Sequence, residues 1–144
     1  MKYFTRQLMY KPDEEWELAL AAYRKRWNQI KHKFPEEVRR FRSSKVCLHD
    51  AEILMVRDLG GVLDLVLERD SPALDLVVLS FVLRGKARIK GDLLDAGWLY
   101  EEFDVDERGF RFEALLTDGA ALSLRFRDFH YWCSAWEQTL KKAL

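Results

Sequence analysis

Two short runs carry residue types that bind metals. Cys47 and His49 stand one residue apart, and His130 and Cys133 stand two apart. Zinc takes thiolate and imidazole ligands in a tetrahedron, so Cys47, His49, His130 and Cys133 are the candidate ligands of a metal site. The Cys-x-His spacing is tighter than usual and the two pairs are far apart in sequence. The preferred reading makes both cysteines small core residues, as free cysteine commonly is, and no cofactor is expected. His49-Asp50 is also an adjacent pair of the kind that metal-dependent phosphohydrolases use, with His130 as a further ligand. Such a centre needs more ligands than the three histidines of this chain supply. On a strand, His49 and Asp50 would point to opposite faces. A structural role is preferred, with Asp50 bonding within a turn, and no residue is assigned as catalytic.

Charge is segregated along the chain. Arg24–Lys45 holds nine basic and two acidic residues, and Asp92–Glu107 holds seven acidic and no basic ones. The basic run, with Tyr23 and Trp27, could bind nucleic-acid phosphates. Those two aromatics fall on an apolar helical stripe, however, so they are expected inside, where they cannot stack bases. The totals of 24 basic and 24 acidic residues give no net field to draw in a polyanion or an anionic membrane. A solvated face, offset by the acidic run, is preferred over a nucleic-acid interface. Glu101, Glu102 and Glu113 invite an acid/base reading. A carboxylate on a buried face would have a raised pKa; the preferred reading places it at the sheet edge, paired with Arg or Lys from the first two helices. No Ser-His-Asp set, phosphate loop or dinucleotide fingerprint is present.

These residues must be positioned by one domain spanning 1–144. At 144 residues the chain is long enough to bury a real core, and 49% apolar and 33% charged residues are ordinary for a globular protein. Two cysteines make no disulfide framework. No signal-peptide pattern opens the chain and no run is long enough to span a bilayer as a helix. A cytoplasmic location is expected.

Gly97–Phe129 organises the fold. Phe110, Phe112, Ala114 and Leu116 alternate with Arg111, Glu113 and Leu115. Leu122, Leu124 and Phe126 alternate with Ser123, Arg125 and Arg127. Period two with one apolar side marks a half-buried strand. A three-residue Thr117-Asp118-Gly119 loop, with Gly119 left-handed, pairs Ala114 with Leu122, Phe112 with Leu124 and Phe110 with Phe126; a two-residue loop would put a charge on the core face. A loop over 106–109 pairs Val105 with Phe110 and Phe103 with Phe112, and Leu99 then faces Leu116. The opposite face carries Tyr100, Glu102, Asp104, Arg111, Glu113 and Arg125, with Glu102 across from Glu113.

Upstream, Tyr3, Phe4, Leu8 and Met9 form a lead-in that docks on the core. Trp16, Leu20, Tyr23, Trp27, Ile30 and Phe34 recur at helical spacing after Pro12. Pro35 starts a second short helix with Val38 and Phe41 inward. Runs 52–58 and 62–68 flank Gly60-Gly61 as a hairpin, Asp70-Ser71-Pro72 turns the chain, and Leu74–Leu83 is apolar enough for a central strand that continues to Lys90 with a bend at Gly85. Phe129–Leu144 reads as a final helix with Phe129, Trp132, Cys133, Trp136 and Leu140 on one side. The expected class is α+β: a mostly antiparallel, six-stranded meander covered by an N-terminal amphipathic helix and a C-terminal helix. Counting 45–50 as a seventh strand would resemble a pleckstrin-homology-like barrel, the alternative.

Several fragments resemble those of a family of small, mostly bacterial proteins that is a domain of unknown function. They are Met1-Lys2-Tyr3-Phe4-Thr5, Leu48-His49-Asp50-Ala51-Glu52-Ile53 and Trp98-Leu99-Tyr100-Glu101-Glu102, extended by Phe112-Glu113, Asp118-Gly119 and Phe126-Arg127-Asp128. The resemblance implies a bacterial, cytoplasmic protein and no activity. The expected function is a non-enzymatic protein–protein interaction module, meeting an unidentified protein partner through Tyr100, Glu102, Asp104, Arg111, Glu113 and Arg125. A metal-dependent hydrolase at His49/Asp50, or a weak nucleic-acid binder through Arg24–Lys45, is the alternative.

Overall fold

A computed structural model describes residues 1–44, 46–69 and 74–135. The turn expected at 70–72, Lys45, and the helical expectation for 136–144 lie outside the described residues. The lead-in ends in a 3-10 turn, Arg6–Tyr10. Helix α1 (Asp13–Ile30) follows Pro12, and Asp13, Glu14 and Glu15 complement its positive end. Tyr23 and Ile30 of the apolar stripe are buried, while Trp16, Leu20 and Trp27 are half-buried. A 3-10 turn leads to buried Phe34 and Pro35, and helix α2 (Glu36–Ser43) buries Val38 and Phe41.

The strands are β1 (Glu52–Asp58), β2 (Val62–Arg69), β3 (Asp75–Leu83), β4 (Arg88–Lys90), β5 (Trp98–Asp106), β6 (Gly109–Leu116) and β7 (Ala121–Ala135). Every pairing is antiparallel. The hairpin registers are those that hydrophobic alternation requires: Phe110 faces Phe126, Phe112 faces Leu124 and Ala114 faces Leu122. Val105 faces Phe110 and Phe103 faces Phe112. Gly119 is left-handed, with φ +77°, and so is Asp118 at +58°.

Three expectations are corrected. The α+β class with an antiparallel sheet is the one expected; what differs is the order, which among the described residues is β1-β2-β3-β7-β6-β5 with β4 paired to β7, two short meanders joined at β7. The C-terminal helix is replaced, over 129–135, by the second half of β7. Central strand β3 needs backbone partners on both sides, and 129–135 supplies them: Phe129 faces Phe81, Tyr131 faces Leu79 and Cys133 faces Val77. A register shift between Val82 and Leu83 lets Phe126 and Phe129 both point inward. Third, Leu99 does not face Leu116. A shift between Trp98 and Tyr100 pairs Trp98 with Leu116 and buries the indole completely.

The barrel alternative does not hold either. Residues 46–48 are irregular, a turn follows at 49–50, and among the described residues edge strands β1 and β5 form no ladder with each other, an isolated bridge from Glu52 to Gly97 lying at their ends, so the sheet is unclosed. The core is aromatic. Phe103 packs against Phe112 at 4.9 Å between ring centres and against Phe129 at 5.7 Å, with Phe34 and Phe41 covering them from the helical side. Helix α1 lies along the β5 edge. The Tyr23 hydroxyl accepts from the Phe103 N–H at 2.9 Å and donates to its carbonyl at 3.4 Å. Arg26 bonds Asp104 at 2.9 Å and the Val105 carbonyl at 3.1 Å. An exposed edge is a template for unwanted pairing, and covering it with a helix removes that hazard. Among the described residues, no helix is long and apolar enough to cross a membrane.

Candidate functional site

The charged side chains of β5–β6–β7 are largely paired with one another. Arg111 bonds Asp104 at 3.4 Å and Glu113 at 3.1 Å, and Arg125 bonds both carboxylate oxygens of Asp106 at 2.7 and 2.8 Å. Arg125 pulls the Asp106 carboxyl down to about 2. Glu102 is only 3% exposed. Its two oxygens accept the backbone N–H groups of Lys2, Tyr3 and Phe4 at 2.9, 2.6 and 2.7 Å. The Met1 amino group reaches Glu113 at 2.9 Å. The two carboxylates that face each other across β5 and β6 thus strap residues 1–4 over the sheet. Nothing in the local pattern points to such a contact, which spans about a hundred residues of chain.

The metal candidates do not converge. Among the described residues, no three His, Cys, Asp or Glu side chains gather. Cys47 and Cys133 are exposed, not core. Arg69 touches both, through the Cys47 carbonyl at 3.4 Å and the Cys133 sulfur at 3.5 Å. The partial desolvation of its sulfur against the sheet, and then the neighbouring Asp75, push the Cys133 thiol up. His49 bonds the Leu99 carbonyl through Nδ1 at 3.0 Å. His130 sits beside Asp128 at 3.3 Å, on the opposite face of β7 from Phe129. In the basic run, Arg26 is held by Asp104, Arg40 by Glu36 and Glu37, and Tyr23 is buried.

The site that does form is a cleft of about 480 Å³ between the lead-in, α1, segment 46–49 and β5. Main-chain bonds hold two of its walls together: the Asp50 N–H donates to the Trp98 carbonyl at 2.8 Å, and the Trp98 N–H to the Ala51 carbonyl at 2.7 Å. Tyr100 is its aromatic centre, 4.6 Å from Trp16 and 5.8 Å from both Phe4 and His49 between ring centres. The Phe4, Leu48-His49 and Leu99-Tyr100-Glu101 positions singled out in separate fragments therefore line one cavity.

Two charged groups face it. Arg42 lies over the Tyr23 ring at 4.8 Å and the Trp27 ring at 5.3 Å, a cation–π arrangement. Its buried Nε has no hydrogen-bond partner among the described residues. Glu101 accepts the Trp98 indole N–H at 2.8 Å. It makes no ion pair with Arg or Lys among the described residues, contrary to the sheet-edge expectation. Burial raises its pKa, against the opposing pull of the indole, Arg42 and His49. Burial likewise pushes the Tyr23 phenol up to about 12. The bulge at Leu99 links these features: it sinks Trp98 into the core, and the buried indole then needs the Glu101 acceptor.

A carboxyl whose folded pKa is raised costs stability once it ionises. The unfolded carboxyl titrates near its ordinary value of about 4.3. Stability therefore falls as pH rises from there through the raised folded value. Glu101→Gln is expected to raise stability at neutral pH by about 0.5–2 kcal/mol, the range common for single stabilising substitutions. The gain should vanish below about pH 4. Melts of both proteins across pH 3–8 check this, and a glutamine variant less stable at neutral pH would contradict it.

No curated protein and no solved structure matches the chain. Residues 1–123 match the family model described as "Protein of unknown function (DUF4085)", a span that includes every cleft-lining position. The chain belongs to that family.

Proposed function

We propose that the protein is a non-enzymatic interaction module, and that its recognition site is the aromatic cleft at Tyr100 rather than the wider charged face. The occupant is a segment of a protein partner that presents an apolar side chain next to a carboxylate. The observation that carries this reading is Arg42, stacked on two rings at the cleft wall with a buried guanidinium nitrogen that no group among the described residues satisfies. A carboxylate on the occupant pairs with the guanidinium where it lines the cleft, and such charge-assisted bonds are strong in a partly dry site. Phe4, Trp16 and Tyr100 supply the apolar surface, and aromatic and arginine anchors dominate protein recognition. The exposed free thiols Cys47 and Cys133 support a reducing, cytoplasmic compartment, and the family resemblance supports a bacterial one.

Selection of a displayed peptide library against the full chain tests this. The expected result is enrichment of peptides with an aromatic or aliphatic residue beside a carboxylate. Their affinity should fall at least tenfold with Arg42→Gln or Tyr100→Ala, because each removes an anchor at the centre of the site. Peptides that bind both variants as well as the wild type, or no enrichment, would overturn it.

A further inference from the structure

We infer that the chain carries a second, independent site, a basic concavity that binds a small-molecule polyphosphate such as a di- or triphosphate. It encloses about 490 Å³ on the outer face of β6 and β7, between the β3–β4 connection and the β5–β6 turn. Six cations line it: Arg84, Lys86, Arg88, Arg108, Arg111 and Arg125, with Glu113 as its one carboxylate. A chain with equal numbers of acidic and basic residues has therefore concentrated one sign of charge in one hollow. Concave walls focus such a field on a ligand.

The six divide by role. Arg111 and Arg125 form the floor and are pinned by Asp104, Glu113 and Asp106. Arg84, Lys86, Arg88 and Arg108 form the rim. They are exposed, and among the described residues none of the four has an ion-pair partner. Arg84 reaches over the β5–β6 turn, its Nη1 3.0 Å from where a Cβ on Gly109 would stand. Ser123 adds a hydroxyl at the hollow.

Guanidinium groups match phosphate oxygens two at a time, so a cluster of arginines with a pinned floor suits a compact chain of phosphates. The volume lies in the range of small-ligand sites. Among the described residues, no aromatic side chain lines the hollow. Nucleic acid, which is held by stacking as well as by phosphate contacts, is therefore the poorer fit. The site shares no lining residue with the Tyr100 cleft, so the failure of either reading leaves the other standing.

Calorimetric titration of the full chain with sodium tripolyphosphate, ATP, inorganic phosphate and a single-stranded RNA oligomer tests the inference. Tripolyphosphate and ATP should bind, inorganic phosphate at least tenfold more weakly, and raising salt should weaken all of them by screening. The double variant Arg84→Ala/Arg108→Ala removes exposed side chains only; it should keep the wild-type melting temperature and lose at least tenfold in tripolyphosphate affinity. Arg24→Ala/Arg39→Ala, on the helices, should bind as the wild type does. Tripolyphosphate binding that survives the Arg84/Arg108 change, no binding at all, or RNA binding tighter than tripolyphosphate would each overturn it.

Discussion

Glu102→Ala should lower the stability of the chain by about 3–5 kcal/mol. The carboxylate is almost fully buried and accepts three consecutive backbone N–H groups. Each such charge-assisted bond is worth about 1.5–3 kcal/mol. The three do not add freely, because the strap can let go and its amides can then bond water. Letting go exposes Phe4, itself worth about 1.5–3 kcal/mol. For a domain of this size each kcal/mol moves the midpoint by about 2–4 °C, so a drop of roughly 10 °C is expected. Glu102→Gln should lose less, because it keeps one acceptor but turns an amide NH₂ toward the strap. Because both act by releasing the strap, Phe4→Ala and Glu102→Ala should be non-additive when combined. Amide exchange at residues 2–4 should accelerate in the variant. A shift under about 2 °C would show that the strap does not anchor the fold. Phe4 also lines the cleft, so the same variant should weaken any cleft occupant.

The second large effect is expected at Asp75. This carboxylate is 5% exposed and is gripped by Arg69, with Nε to Oδ1 at 2.7 Å, across the β2–β3 pairing. The Cys133 thiol donates a further bond to it at 3.2 Å. Asp75→Asn leaves the Arg69 charge without its counterion in a largely dry place, which costs about 3–5 kcal/mol. Replacing both partners, as in Arg69→Met/Asp75→Leu, should recover most of that loss, because neither charge then has to be desolvated. The Arg69 guanidinium holds the Asp75 carboxyl below its ordinary range. Its stabilisation is therefore fully present above the unfolded pKa of about 3.9 and is lost as pH falls through the lower folded value. Denaturant midpoints for wild type and Asp75→Asn should differ most near neutrality and converge in acid. A gap that stayed constant with pH would mean that the ion pair is not its source.

Local patterns carried much of this fold. The period-two runs at 110–116 and 122–126 and the short loops between them left one register that keeps charges off the core, and that register is observed. The stripe from Trp16 to Phe34 and the punctuation at Pro12 and Pro35 located both helices. Alternation failed at two places. At 129–135 the spacing of Phe129, Trp132 and Cys133 suits a helix as well as a strand, and only the backbone demand of β3, some fifty residues earlier, selects the strand. At Leu99 a one-residue bulge exchanges which side chain enters the core.

The candidate site was legible in pieces but not as a site. His49, Tyr100 and Glu101 each stood out, yet no spacing rule brings residues 4, 42, 49 and 100 to one cleft. Arg42 passed for one charge among nine in a basic run until its stacking on Tyr23 and Trp27 distinguished it. The amino-acid sequence by itself determined the two helices, the strands before residue 129 in outline and the faces of the 110–126 hairpin, because side-chain periodicity and turn chemistry act over a few residues. Only the tertiary structure decided the strand order, the strap on Glu102, the arginine hollow and the cleft. Those depend on hydrogen bonds and burial between segments tens of residues apart, where a carboxylate or guanidinium reads as surface charge until its partner is in place.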